Sequence, residues 1–117
     1  METHIQKVGS VAIVKVSGVV DSETVDEFSN SLTSLVEKGE LQILLDIEEL
    51  SYINTAGLSV IADVFKKARQ KQGSLKILNA PELIKELLDI VRFTRIIDLF
   101  DDEDAALYSF GKETGVR

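Results

Sequence analysis

Hydrophobic residues along this chain switch between strand-like alternation and helical spacing several times. Ile5-Gln-Lys-Val8 and Val11-Ala-Ile-Val-Lys-Val16 read as two short strands, with Val14 and Val16 alternating about Lys15. Gly9-Ser10 between them is a hairpin signal, and Gly18 is expected to end the second strand. Val25, Phe28, Leu32, Leu35 and Val36 then recur at helical spacing. Asp21 or Ser22 is the expected cap, although Thr24-Val-Asp-Glu27 also matches a capping box. Gly39 should close this helix in a left-handed conformation. Leu41-Gln-Ile-Leu-Leu-Asp-Ile47 is almost continuously apolar, as a central strand covered on both faces should be.

The spacing predicts a second helix over about 55–72, with Leu58, Ile61, Ala62, Phe65 and Ala68 on one face and Gly73 ending it. Leu75-Lys-Ile-Leu78 is another strand. Pro81 opens a helix with Leu83, Ile84, Leu87, Leu88 and Val91 inward. Ile96-Ile-Asp-Leu-Phe100 is a last strand or extended piece, and Asp101-Asp102 caps a final helix carrying Ala105, Ala106, Leu107 and Phe110. The order is β-β-α-β-α-β-α-β-α. The first two strands are joined too tightly for a parallel crossover, so they pair antiparallel at one edge. Right-handed crossovers make the remaining strands a mostly parallel sheet. The expected fold is an α/β sandwich over residues 1–117, with 117 residues giving one domain and one core.

Composition narrows the function. A net charge of -7 opposes direct nucleic-acid binding, which needs a basic face. Lys66, Lys67, Arg69 and Lys71, followed by Lys76, read as the wet face and last turn of a helix, where cations suit the dipole. No apolar run reaches the length of a membrane span, and no signal peptide is expected at Met1, so a cytoplasmic protein without membrane insertion is anticipated. With no cysteine, disulfides, thiol chemistry and the usual zinc sites are out.

Enzymatic chemistry finds little support. There is no glycine-rich phosphate loop and no grouping with metal-ligand spacing, so no cofactor, metal or catalytic residue is expected. A Ser-His-Asp system would have to use His4, with no elbow motif to place the serine. Glu48-Glu49 and Asp101-Asp102 sit where acids cap and solvate. Asp46 at a strand end is like a phosphoacceptor aspartate, but Val16-Ser-Gly18 offers no acidic pair to hold magnesium beside it.

The stretch Asp46-Ile-Glu-Glu-Leu-Ser-Tyr-Ile-Asn-Thr-Ala-Gly-Leu-Ser-Val60 is different. It leads from the central strand through a polar crossing into the second helix. Asn54 is a good cap, which places Thr55, Ala56 and Gly57 at the first three helical positions. The free N–H groups there tolerate an anion, so a phosphate on Thr55 would be accepted by its own helix. Gly57 leaves the backbone uncovered, and Leu58 could offer a small apolar contact. On these facts alone Thr55 reads first as a capping or spacer residue, Ser51 and Ser59 are rival hydroxyls, and relief of packing against the sheet is the alternative role for Gly57.

Leu50-Ser-Tyr-Ile-Asn-Thr-Ala-Gly-Leu-Ser-Val60 resembles the signature of the STAS family, specifically bacterial anti-sigma factor antagonists. There, leucine or valine, serine, an aromatic and an apolar residue precede aspartate, serine, serine or threonine, glycine, leucine and glycine. Gly18-Val-Val-Asp21, Lys71-Gln-Gly73 and Arg95-Ile-Ile97 are similar to further family features, so the resemblance covers nearly the whole chain. It implies a regulatory binding module whose partner is an anti-sigma factor that is also a kinase of the histidine-kinase-like ATPase type. The unphosphorylated antagonist captures that partner and frees a sigma factor. Phosphorylation of the first hydroxyl after the aspartate ends capture, and a metal-dependent serine/threonine phosphatase restores it. Thr55 occupies that hydroxyl position, and the implied partner surface comprises Asp21, Asn54, Thr55, Ala56, Gly57, Leu58 and Ser59. Asn54 stands in place of aspartate, Ala56 in place of a second hydroxyl, Ser59 in place of glycine, and Arg92-Phe93 in place of glycine-leucine, which implies a different loop shape. The alternative is a constitutive STAS subunit of a lipid-transport or signalling assembly, with Thr55 as a docking residue only.

Overall fold

The computed structural model describes residues 1–113, with side chains to Gly111. Its strands are β1 (Glu2–Val8), β2 (Val11–Val20), β3 (Gln42–Asp46), β4 (Leu50–Ile53), β5 (Ser74–Leu78) and β6 (Leu99–Phe100). Its helices are α1 (Val25–Glu37), α2 (Thr55–Gln70), α3 (Glu82–Ile90) and α4 (Glu103–Glu113), with a 3-10 turn at Phe93–Arg95. The sheet order is β1-β2-β3-β5-β6, with β4 paired to the far end of β2. β1 and β2 are antiparallel and the other pairs parallel. The α/β sandwich with one antiparallel edge is therefore the fold of this chain.

Local chemistry explains most boundaries. Gly9 takes φ +60° at the first central position of the hairpin loop, a place where glycine pays no steric penalty. Gly39 closes α1 with φ +86°; its N–H bonds Val36 O at 3.0 Å while Glu40 N–H bonds Leu35 O at 2.8 Å. α2 ends differently from expectation. The left-handed residue is Gln72 (φ +69°), and Gly73 is required for another reason. A Cβ on Gly73 would lie 2.2 Å from Leu41 O, so only glycine lets β5 start against the beginning of β3.

Three further expectations are corrected. Gly18 does not end β2. Its φ of +97° creates an irregularity at Gly18/Val19, after which the strand continues to Val20 and exchanges its neighbour β3 for β4. The crossing after β3 contains that additional strand, with Val19 opposite Tyr52 and Val20 opposite Ile53. In α3 Ile84 and Leu88 are buried and Leu87 packs half-buried against the core, but Leu83 is 69% exposed and Val91, beyond the last helical residue, is exposed as well.

The core lies mainly on one face of the sheet. Ala12, Val14 and Val16 of β2 meet Phe28 and Leu32 of α1, Leu58, Ile61 and Val64 of α2, and Ile84 and Leu88 of α3 there. The reverse face carries a smaller cluster of Val11, Ile13, Leu44 and Leu78 beneath Ala106 and Phe110 of α4. Because strand residues alternate, β2 supplies both clusters.

Candidate functional site

β2 and β4 stop together, and α2 begins at their ends. Asn54 N–H donates to Val20 O at 3.0 Å, pinning the helix start to the last residue of β2. Asn54 has extended backbone angles (φ -88°, ψ 178°), and its Oδ1 accepts from Gly57 N–H at 2.8 Å. Its carbonyl accepts the first helical bond, from Leu58 N–H at 3.0 Å. These are the features of a side-chain N-cap, and they leave Thr55, Ala56 and Gly57 at the first three helical positions.

The residues proposed for this surface divide by burial. Thr55, Ala56 and Ser59 are exposed and Asn54 is half-buried. Gly57 and Leu58 face inward and are buried. Gly57 owes its identity to packing: a Cβ there would lie 2.6 Å from Ile53 Cγ1 and 2.8 Å from Val20 Cγ1. Of the two functions left open for Gly57, the geometry supports relief of packing against β2 and β4. Leu58 belongs to the large core and presents almost no surface to a partner.

The three hydroxyls of the stretch are also distinguished. Ser51 Oγ donates to Gly18 O at 3.0 Å and so helps hold β4 against the irregular part of β2. Among the described residues, none hydrogen-bonds the hydroxyl of Thr55 or Ser59. Thr55 sits on the first turn, where the helix N–H groups lack intrahelical acceptors; Ser59 lies a full turn deeper.

Asp21 leaves β2 beside Asn54, because the residues preceding them, Val20 and Ile53, are register partners. Its Oδ1 accepts from Glu23 N–H at 2.9 Å and from Thr24 N–H at 3.2 Å. Of the two expected starts of α1, the Thr24 position holds and the Asp21 or Ser22 cap is corrected, as is the capping-box bond. Thr24, not Asp21 or Ser22, is the N-cap residue of α1, and its side chain makes no capping bond. Thr24 Oγ1 instead donates to Val19 O at 2.9 Å and accepts from Asp21 N–H at 2.9 Å. The turn built on Asp21 thus organises the loop next to the α2 start.

The surroundings are acidic and partly aromatic. Glu23, Glu48 and Glu49 are exposed, and Tyr52 of β4 is 51% exposed. Lys66, Lys67, Arg69 and Lys71 are all exposed at the opposite end of α2. The turn after α3 keeps a left-handed residue at Arg92 (φ +65°), the position where glycine was expected from the family pattern. Among the described residues, no group of three or more His, Cys, Asp or Glu is placed to hold a metal ion. No described helix is long and apolar enough to cross a membrane.

A family model described as the STAS domain matches residues 2–106. The chain belongs to the STAS domain family. BtrV of Bordetella bronchiseptica, described as a candidate anti-sigma factor antagonist, is 32% identical over 110 residues, covering 94% of this chain and 95% of BtrV. A Thermotoga maritima protein described in the same way superposes with a TM-score of 0.88 at 19% identity, covering 92% of this chain and 93% of that one. The anti-sigma factor antagonist SpoIIAA has been solved in unphosphorylated and phosphorylated forms. Each superposes with a TM-score of 0.74 at 14% identity over 92% of this chain, and covers 96% and 98% of SpoIIAA respectively. These structural likenesses share the fold of this STAS chain.

Proposed function

We propose that this STAS protein is an anti-sigma factor antagonist whose capture of its partner is switched off by phosphorylation of Thr55. The observation that carries this reading is the exposed, unengaged Thr55 hydroxyl on the first turn of α2, held in place by the Asn54 cap. The names of the relatives support the same direction, as does the existence of a phosphorylated form of SpoIIAA.

In the unphosphorylated state, the exposed surface of Asp21, Asn54, Thr55, Ala56 and Ser59 binds an anti-sigma factor kinase of the histidine-kinase-like ATPase type, and the sigma factor is released. The kinase supplies ATP. Thr55 Oγ1 bonds to the γ-phosphorus, the bond to the β-phosphate oxygen breaks, ADP leaves, and the hydroxyl proton passes to a base of the kinase. The phosphoryl group adds about -1.5 to -2 charges at a place where the helix N-terminus accepts an anion. A partner seated on this surface would have to bury a dianion, so capture ends while the fold persists. A metal-dependent serine/threonine phosphatase resets the switch.

Incubation with the cognate kinase and ATP, followed by phosphopeptide mapping, is expected to label Thr55 and to leave Thr55→Ala unlabelled. Labelling of Thr55→Ala to the wild-type level would remove the site assignment. Thr55→Glu is expected to weaken partner capture; an unchanged affinity would remove the charge-and-desolvation mechanism.

A second reading is favoured by Asn54 and Ala56, which replace the aspartate and second hydroxyl of the family signature. In it the same surface docks constitutively into a lipid-transport or signalling assembly. Affinity capture from the native cell separates the two, recovering either a kinase of the stated type or a transporter ATPase.

A further inference from the structure

Lys76, in the middle of β5, is only 1% exposed, although the chain could have placed an apolar residue there. Its neighbours Leu75 and Ile77 point into the large core, so its own side chain points to the reverse face, under α4. Nζ donates to Ser109 Oγ at 2.8 Å and lies 3.7 Å from Asp98 Oδ2. The Phe110 ring centroid is 4.8 Å away and that of Phe100 5.8 Å. One ammonium therefore ties β5 to β6, to the residue preceding β6, and to α4. Ser109 Oγ in turn donates to Ala106 O at 2.7 Å, so its hydroxyl is committed both as acceptor and as donor.

Among the described residues, α4 buries little apolar surface. Ala106 and Phe110 are its buried apolar residues, with Leu107 half-buried beside them. By contrast, α1 alone sends Phe28, Leu32, Leu35 and Val36 into the large core. Elements with few buried apolar contacts open at lower free energy than the core around them. The ammonium adds a second reason. Desolvating an ion is costly and is repaid only while its partners stay in place. Lifting α4 returns Lys76 to water and recovers that cost, which lifting an all-apolar contact would not.

We propose that α4 is a latch: it opens as a unit while the remainder stays folded, and the contact between Lys76 and Ser109 sets how often it opens. Opening uncovers Val11, Ile13, Leu44 and Leu78 on the reverse face of the sheet. The start of α2 belongs to the other face and is undisturbed.

Hydrogen exchange measured by mass spectrometry on the full chain tests this. Amides of residues 103–111 are expected to exchange roughly tenfold or more faster than those of β3 and β5. Ser109→Ala removes one acceptor, the one on α4, from the buried ammonium, and should speed exchange in α4 about tenfold further while β3 is unchanged. In a Lys76→Met background the same Ser109→Ala should have much less effect, because no ammonium then loses its acceptor. Lys76→Leu takes the place of Lys76→Met should the methionine variant not fold. Equal wild-type rates in α4 and β3 would overturn the latch. So would a Ser109→Ala effect of the same size with and without Lys76, or one spread evenly over the chain.

Discussion

Gly57 shows how a single position in a signature can be visible and still be ambiguous. A glycine on the first turn of a helix is compatible with leaving room for a partner or with leaving room for the protein itself. Burial decides between them, and burial depends on where β2 and β4 end, which local sequence does not encode. Alanine has the better intrinsic helix propensity by about 0.8–1 kcal/mol. Against that, its methyl would press on Ile53 and Val20, both buried, and overpacking costs typically about 1–3 kcal/mol. Gly57→Ala is therefore expected to lower stability by roughly 1 kcal/mol, as a shift of the urea midpoint at constant m-value. A rise in the midpoint would show that the helix start repacks freely. The Asn54 cap and the Thr55 hydroxyl beside it were legible because capping is a short-range matter of side chain and backbone. Gly73 was legible only as punctuation: its real constraint is Leu41 O, more than thirty positions earlier in the chain.

At the scale of elements, the helices were readable and the irregular strands were not. Helical spacing marks Phe28, Leu32, Leu35 and Val36 of α1 because a whole face is buried along many turns. β4 gives no such signal: Leu50 and Ile53 are buried while Ser51 and Tyr52 between them are exposed, in a run of four residues. Its existence depends on Gly18, whose positive φ turns β2 from one neighbour to another. That same turn puts Val20 where its carbonyl can hold Asn54, so the start of α2 is fixed by two strands as well as by its own cap. Removing the cap tests the division of labour. Asn54→Ala is expected to cost about 1 kcal/mol, while Asn54→Asp keeps the acceptor and adds a charge that suits the helix N-terminus. Equilibrium unfolding of the two variants should therefore separate them, with Asn54→Asp at least as stable as the wild type. If Asn54→Ala were neutral, the bond to Val20 and the packing of Leu58 would be holding the helix start without the side chain.

For the molecule as a whole, the chain order and the parallel sheet followed from alternating strand and helix signals, because crossover handedness leaves few arrangements. Which face each helix covers did not follow. The large core on one face lies directly beneath the start of α2, with Val20, Ile53 and Leu58 all buried within it. A switch placed there sits on a surface with no slack below it, so phosphorylation has little room to act through shape. Its effect on stability is set by two opposed electrostatic contributions. Glu23, Glu48 and Glu49 make this end of the protein acidic, and they oppose a further negative charge. They are exposed, and at physiological salt exposed charges are screened beyond about 8 Å. The helix N-terminus acts at contact range and favours an anion by about 0.3–1 kcal/mol. The local contribution should prevail. The protein phosphorylated at Thr55 is therefore expected to melt at the same temperature as the unmodified form, or up to a few degrees higher, with unchanged near-ultraviolet circular dichroism. Calorimetry of the two forms at 0.15 M salt, set beside partner capture by each, checks this. Capture lost at constant or raised melting temperature is the signature of a surface switch; a fall of more than about 1 kcal/mol in stability would mean that the phosphate disrupts the packing of Leu58 and Ile53 instead.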